Sequence, residues 1–101
     1  MFTSTQNKGF RMKFENNFSI SVQWGSGNYC SNRDKKINEK SENFIESFTA
    51  EVAIFLNDKL LPITNNEVIG WLTSDNVANI IEIVSKAHNK KELVESLEKI
   101  W

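Results

Sequence analysis

The sequence predicts an α+β fold: an antiparallel β-sheet of about four to five hairpin-connected strands, packed by one or two C-terminal α-helices. Three observations lead there. Apolar and polar side chains alternate through residues 10–14, 18–24 and 48–56, the period of half-buried strands. Val77, Ile80, Ile81, Val84 and Ala87 instead follow the i, i+3, i+4, i+7 spacing of a helix that buries one stripe. Strands first and helices last describe a sheet with helices over one face, because each element must bury its apolar side against another layer. With 101 residues, 40% of them hydrophobic and 11% aromatic, the chain supports one core and reads as a single domain over residues 1–101.

Residues 1–8 (MFTSTQNK) show no period and are predicted to be a loose leader. The two strands that follow fix their own register, because residues opposite each other in an antiparallel pair point to the same face. A three-residue loop at Glu15-Asn16-Asn17 sets Phe14 against Phe18, Met12 against Ile20 and Phe10 against Val22, whereas a two-residue loop sets Phe14 against Ser19 and mixes the faces. The longer loop needs positive φ at its end, which Asn17 tolerates. Residues 31–43 (SNRDKKINEKSEN) hold a single aliphatic side chain, Ile37, and are predicted to be a polar mobile loop.

Strand 48–56 places Ala50, Val52, Ile54 and Leu56 on one face. Asn57-Asp58-Lys59 then repeats the three-residue loop with Leu60 opposite Leu56, and Pro62 confines the return through 60–64 to an edge or a short pairing. A turn at Thr64-Asn65-Asn66 leads to a short last strand at 67–72, where Gly70 marks a bulge or a close approach. Thr73, Ser74, Asp75 and Asn76 are N-cap residues before the first helix. Asn89 caps a second, with Glu92 in capping-box position and Leu93, Val94, Leu97 and Ile100 on one face.

A formal charge of −1 removes the general pull toward nucleic acid or anionic membrane. The charges are unevenly spread: residues 1–41 carry seven basic and three acidic side chains, residues 42–101 five basic and ten acidic. One cysteine makes no internal disulfide, no secretory leader opens the chain, and no apolar run nears the ~18 residues that span a bilayer. These features predict a soluble, cytoplasmic protein with no membrane partner.

Zinc or another transition metal wants several His and Cys ligands, and Cys30 and His88 are the sole examples, so no metal and no cofactor are expected. The same two residues are the one candidate nucleophile–base pair, the basis of a small cysteine-dependent hydrolase. A lone cysteine is more often a small buried hydrophobe, and no catalytic residues are assigned.

The stretch QWGSGNYCSNR (residues 23–33) is the main candidate site. Its glycines suit a tight reversal, and backbone N–H groups in such a turn can form an anion nest, with Arg33 as a charged partner and Trp24 or Tyr29 as a stacking surface. It is not a dinucleotide fingerprint, because GxGxxG requires a third glycine and a following helix. Trp24 is in phase with Phe18, Ile20 and Val22, which draws it mainly into the core. The candidate binding residues are Asn28, Tyr29, Arg33 and Trp24, with Lys35 and Lys36 as outer electrostatic contacts. Arg11 and Lys13 on the outer face of the first strand add a weak nucleic-acid signal, since outward cations also discourage edge-to-edge aggregation.

The run GFxMxFENxFxISVQWGxGNYC at 9–30, TAEVA at 49–53 and GWLTSDNVANII at 70–81 resembles a family of small uncharacterised phage and prophage proteins with an S-V-Q-aromatic-G-x-G-N-Y-C segment. The second helix departs from that pattern. The resemblance implies a mobile genetic element as the origin and names no activity. Small acidic phage proteins without catalysis often bind and block host machinery, so the implied role is a non-enzymatic inhibitor of a host protein, CRISPR or another defence system among the targets. A nucleotide-sequestering protein, working as a homo-oligomer, and the Cys30 hydrolase are the alternatives.

Overall fold

The computed structural model describes residues 1–63 and 66–100, and it is α+β as the sequence predicts. Six strands run β1 (Phe2–Ser4), β2 (Gly9–Lys13), β3 (Phe18–Gln23), β4 (Ala50–Leu56), β5 (Lys59–Leu60) and β6 (Ile69–Leu72), followed by α1 (Ser74–Lys86) and α2 (Lys90–Glu98). The sheet is antiparallel in the order β1-β2-β3-β4-β5. β6 also pairs with β4, so β5 and β6 share the edge of β4 that β3 leaves free.

The β2–β3 hairpin has the register that face-matching requires: Phe10 opposite Val22 and Met12 opposite Ile20, with Phe14 N–H donating to Phe18 O and Asn17 at φ 71°. One face thereby gathers Phe18, Ile20, Val22, Val52 and Ile54, all buried, and α1 covers them with Val77, Ile80, Val84 and Ala87. Leu93 and Leu97 of α2 complete the core.

The other face of the sheet has no helix over it, yet Ser19 and Ser21 are buried there. Long side chains of the neighbouring strands roof them. Arg11 lies 4.3 Å from the centroid of the Phe55 ring and donates to Ser19 Oγ, while Gln23 Nε2 donates to Ser21 Oγ at 3.0 Å. Arg11 and Lys13, which pairs with Asp58 at 3.2 Å, are thus occupied within the sheet and form no free basic patch.

Several elements differ from the sequence reading. The leader is not loose: residues 2–4 form β1, and Met1 O accepts from Lys13 N–H, so backbone pairing orders a segment too short to show a period. The β4–β5 turn has two residues, Asn57 and Asp58 at φ 53° and 64°, and the register becomes Leu56 opposite Lys59. Two successive positive φ values make the tight hairpin turn whose twist matches the strands, and Asn-Asp accommodates it. β5 is correspondingly only two residues long. Thr64 and Asn65 of the expected turn lie outside the described residues.

The segment 31–43 forms turns without strand or helix, and it is tethered. Ser26 Oγ accepts from Ile37 N–H, Asn7 Nδ2 donates to Glu42 O, and Lys8 faces Glu39 at 3.9 Å. Asn89 caps α2 by accepting from Glu92 N–H, but the Glu92 carboxylate turns to His88 at 3.0 Å, leaving half of the expected box. The complete box is on α1, between Thr73 and Asn76.

Candidate functional site

β3 ends at Gln23, and the chain must reverse to reach the 31–43 segment. Gly25 lies where a Cβ would sit 2.5 Å from Glu39 Oε1 and 2.7 Å from Lys8 Cδ, and Gly27 has φ +80°. The reversal closes on itself. Asn28 Oδ1 accepts from Gly25 N–H, Asn28 N–H donates to Gly25 O, and Gly27 N–H donates to Arg33 O. Three of the four N–H groups of the anion nest expected at Gly25 to Asn28, those of Gly25, Gly27 and Asn28, are thus engaged within the loop.

Asn28 also has a structural role: its Nδ2 donates to Glu51 Oε1 and to Gln23 Oε1, which fastens the loop to the end of β3 and the start of β4. Cys30 is 1% exposed, with Sγ 3.7 Å from Gly25 O. His88 follows α1, whose C-terminal carbonyls Val84 O and Ala87 O are reached by Asn16 at the start of β3. Cys30 follows the other end of β3, where its Sγ meets Gly25 O, while His88 Nδ1 faces the Glu92 carboxylate at 3.0 Å, so each of the two side chains is partnered elsewhere.

Tyr29 is held outward. Its ring stacks on Trp71 of β6, with centroids 5.6 Å apart and planes within 5°, and the Arg33 guanidinium lies 5.1 Å from the centroid of the Tyr29 ring. The backbone sets this arrangement: Trp71 N–H donates to Tyr29 O at 2.8 Å, and a Cβ on Gly70 would lie 2.8 Å from Tyr29 Cβ. Gly70 is thus the close approach the sequence indicated, at the irregularity in the β4–β6 pairing.

Trp71 is the residue that sequence reasoning missed. It has φ +51° and is 53% exposed, while its neighbour Leu72 is buried. The available signal was an aromatic directly after a bulge glycine. No family model, curated protein or solved structure matches this chain. The site is therefore read from its own geometry.

The remaining candidates divide between two faces. Tyr29 and Arg33 join Trp71, and a cleft of about 460 Å³ beside Tyr29 is lined by Glu51, Glu67 and Val68. Trp24 and Lys35 line a different groove of about 890 Å³ on the helix side of the sheet. There Trp24 meets Phe10 edge to face at 6.3 Å and donates from Nε1 to Ile45 O at 2.8 Å, the core-facing role its phase predicts. Lys36 is exposed and takes part in neither cluster. Among the described residues no group of three His, Cys, Asp or Glu side chains is placed to hold a metal ion, and no helix is long and apolar enough to cross a membrane.

Proposed function

We propose that the chain is a non-catalytic binding protein of phage origin that inhibits or sequesters a host protein, with Trp71, Tyr29 and Arg33 as its contact surface. One observation carries the reading: Trp71 sits at positive φ, half out in water, stacked on Tyr29 beside Arg33. A non-glycine residue in this conformation costs about 1–2 kcal/mol, and such strain gathers at ligand clamps and contact sites. Trp, Tyr and Arg dominate the energetics of protein contacts, and rings already stacked lose little rotamer freedom on binding. The phage part of the reading is supported by the resemblance at 9–30, 49–53 and 70–81, and a counter-defence target such as a CRISPR effector suits that origin.

Nucleotide sequestration is the weaker reading. The N–H groups of Gly25, Gly27 and Asn28 are already bonded, and Glu51 and Glu67 beside Tyr29 repel a phosphate chain.

The test is capture from host lysate with the intact chain and with Trp71→Gly and Arg33→Ala. Glycine relieves the positive φ while removing the ring, so Trp71→Gly is expected to keep its thermal midpoint and lose the captured protein. Retention of the same protein by both variants sinks the assignment. A thermal shift with millimolar nucleotide would favour sequestration instead.

A further inference from the structure

The helix side of the sheet carries a second surface, independent of the Trp71 face. The 890 Å³ groove runs between the first turns of α1 and the sheet, with Phe10, Val22, Trp24, Leu72, Val77 and Ile81 among its walls. Phe48 stands on its rim and is 93% exposed, and Phe44, four residues earlier, is 70% exposed. Phe48 opens the predicted strand 48–56, yet β4 begins only at Ala50, so the ring is left outside the sheet. Rings so exposed add almost nothing to the protomer's own core. Phe48 and the groove walls form an apolar patch of the kind that marks an interaction site, and Phe44 is the chain neighbour of Ile45 in the same wall.

The patch is complementary to itself. It carries an apolar knob, Phe48, beside an apolar groove of about 890 Å³, more than the volume of a phenyl ring, and a two-fold interface joins the same patch on two subunits, so each knob meets the other's groove. The charges agree. Lys35 and Glu46 both line the groove, and neither side chain is in an ion pair among the described residues. A two-fold axis brings Lys35 of one copy toward Glu46 of the other, whereas a purely acidic or basic rim would repel its own copy. We propose that this face is the interface of a homodimer in which Phe48 of each chain enters the groove of the second copy.

The area sets the strength. Burying Phe44 and Phe48 removes about 300 Å² of apolar surface per chain, and the groove walls they cover add a similar amount. The total, roughly 1,200 Å², lies at the lower edge of stable interfaces, so the dimer is expected to dissociate on the order of 10–100 µM. The Trp71 face stays open in such a dimer, because Trp71 and Leu72 present to different surfaces.

Sedimentation velocity of the full chain from about 5 to 500 µM tests this directly, since that range brackets the expected dissociation. The wild type is expected to pass from monomer to dimer, and Phe48→Asp to remain monomeric with an unchanged thermal midpoint. Lys35→Glu and Glu46→Lys are each expected to weaken the dimer about fivefold, and the double exchange to restore it, since only a two-fold contact re-forms both pairs. A wild type that stays monomeric throughout overturns the proposal, whether its groove takes up a hydrophobic dye or not. So does a dimer insensitive to Phe48→Asp, or a double exchange no tighter than the single variants.

Discussion

Asn32 sits inside the polar run 31–43 and looks interchangeable with its neighbours, yet it is 1% exposed. Its Nδ2 donates to Trp24 O at 2.8 Å and to Glu46 O at 2.9 Å, tying the end of β3 to the segment that leads into β4. Replacing it by alanine leaves two part-buried carbonyls without this donor and empties the buried site of the amide, which together cost about 2–3 kcal/mol. For a domain this size each kcal/mol lowers the melting midpoint by roughly 4–8 °C, so Asn32→Ala is expected to fall by 10 °C or more in a thermal melt. Lys36→Ala, four positions on, exposed and with no side-chain hydrogen bond or ion pair among the described residues, should barely move it. An Asn32→Ala melt matching that of Lys36→Ala would show the two bonds to be dispensable. Sequence could not distinguish these two residues, because composition and period describe a side chain's type while Asn32 is defined by carbonyls distant in the chain. The same limit hid Trp71, whose importance lies in a backbone angle and a partner ring. Tyr29 and Arg33 were legible because they share one short loop with the glycines that shape it.

Elements are where sequence was most informative, and where it failed the cause was usually a single turn. The β2–β3 register followed from matching faces alone, whereas the β4–β5 turn misled because Leu60 and Lys59 opposite Leu56 differ by one residue at an edge that buries little. α1 shows how an element is completed from outside its own sequence. Its start is capped locally by Thr73 and Asn76, but its end is capped by Asn16 from the hairpin loop, with Nδ2 2.8 Å from both Val84 O and Ala87 O. Asn16→Ala is expected to cost about 1–2 kcal/mol in urea unfolding. Asn16→Asp should cost more, since a carboxylate then faces the negative end of the helix. An aspartate milder than alanine would remove the capping account.

Farther along the same helix, the hydrogen bond from Lys86 and then its charge hold the Glu82 carboxyl below its ordinary value of 4.5. A depressed folded value means that the pair's contribution is present above the unfolded pKa and is lost as pH falls through the folded one. The melting difference between wild type and Glu82→Gln should thus be small at neutral pH and vanish in acid below 4.5. A difference that grows on acidification contradicts the assignment.

At the scale of the molecule, α2 raises the question whether it is an appendage or a part of the core, because it follows a sheet and a helix that already make two layers. Its Leu93 and Leu97 are both 0% exposed and belong to the same cluster as Phe18, Ile54 and Val84. α2 packs against α1 and adds to the same buried cluster as Val77, Ile80 and Val84, while Ala78, Asn79, Glu82 and Ser85 stay exposed on the outer side of α1. Removing residues 89–101 withdraws about 4–6 kcal/mol of apolar burial from these two side chains alone and wets their neighbours on α1. Domains of this size hold only 5–15 kcal/mol in total, so the truncated chain is expected to lose most of its cooperative unfolding transition. Leu97→Ala, with a cost of about 2–5 kcal/mol, should lower the urea midpoint while keeping that transition cooperative. Near-ultraviolet circular dichroism separates the two states, because Trp24 and Phe10 remain packed only if α1 stays seated on the sheet. If the 1–88 chain unfolds with the wild-type midpoint, α2 is an appendage and the core ends at Ala87. If it retains secondary structure but loses the aromatic signal, the second helix is what turns a collapsed sheet and helix into a unique fold. Only that fold fixes the surfaces that carry Trp71 and Phe48.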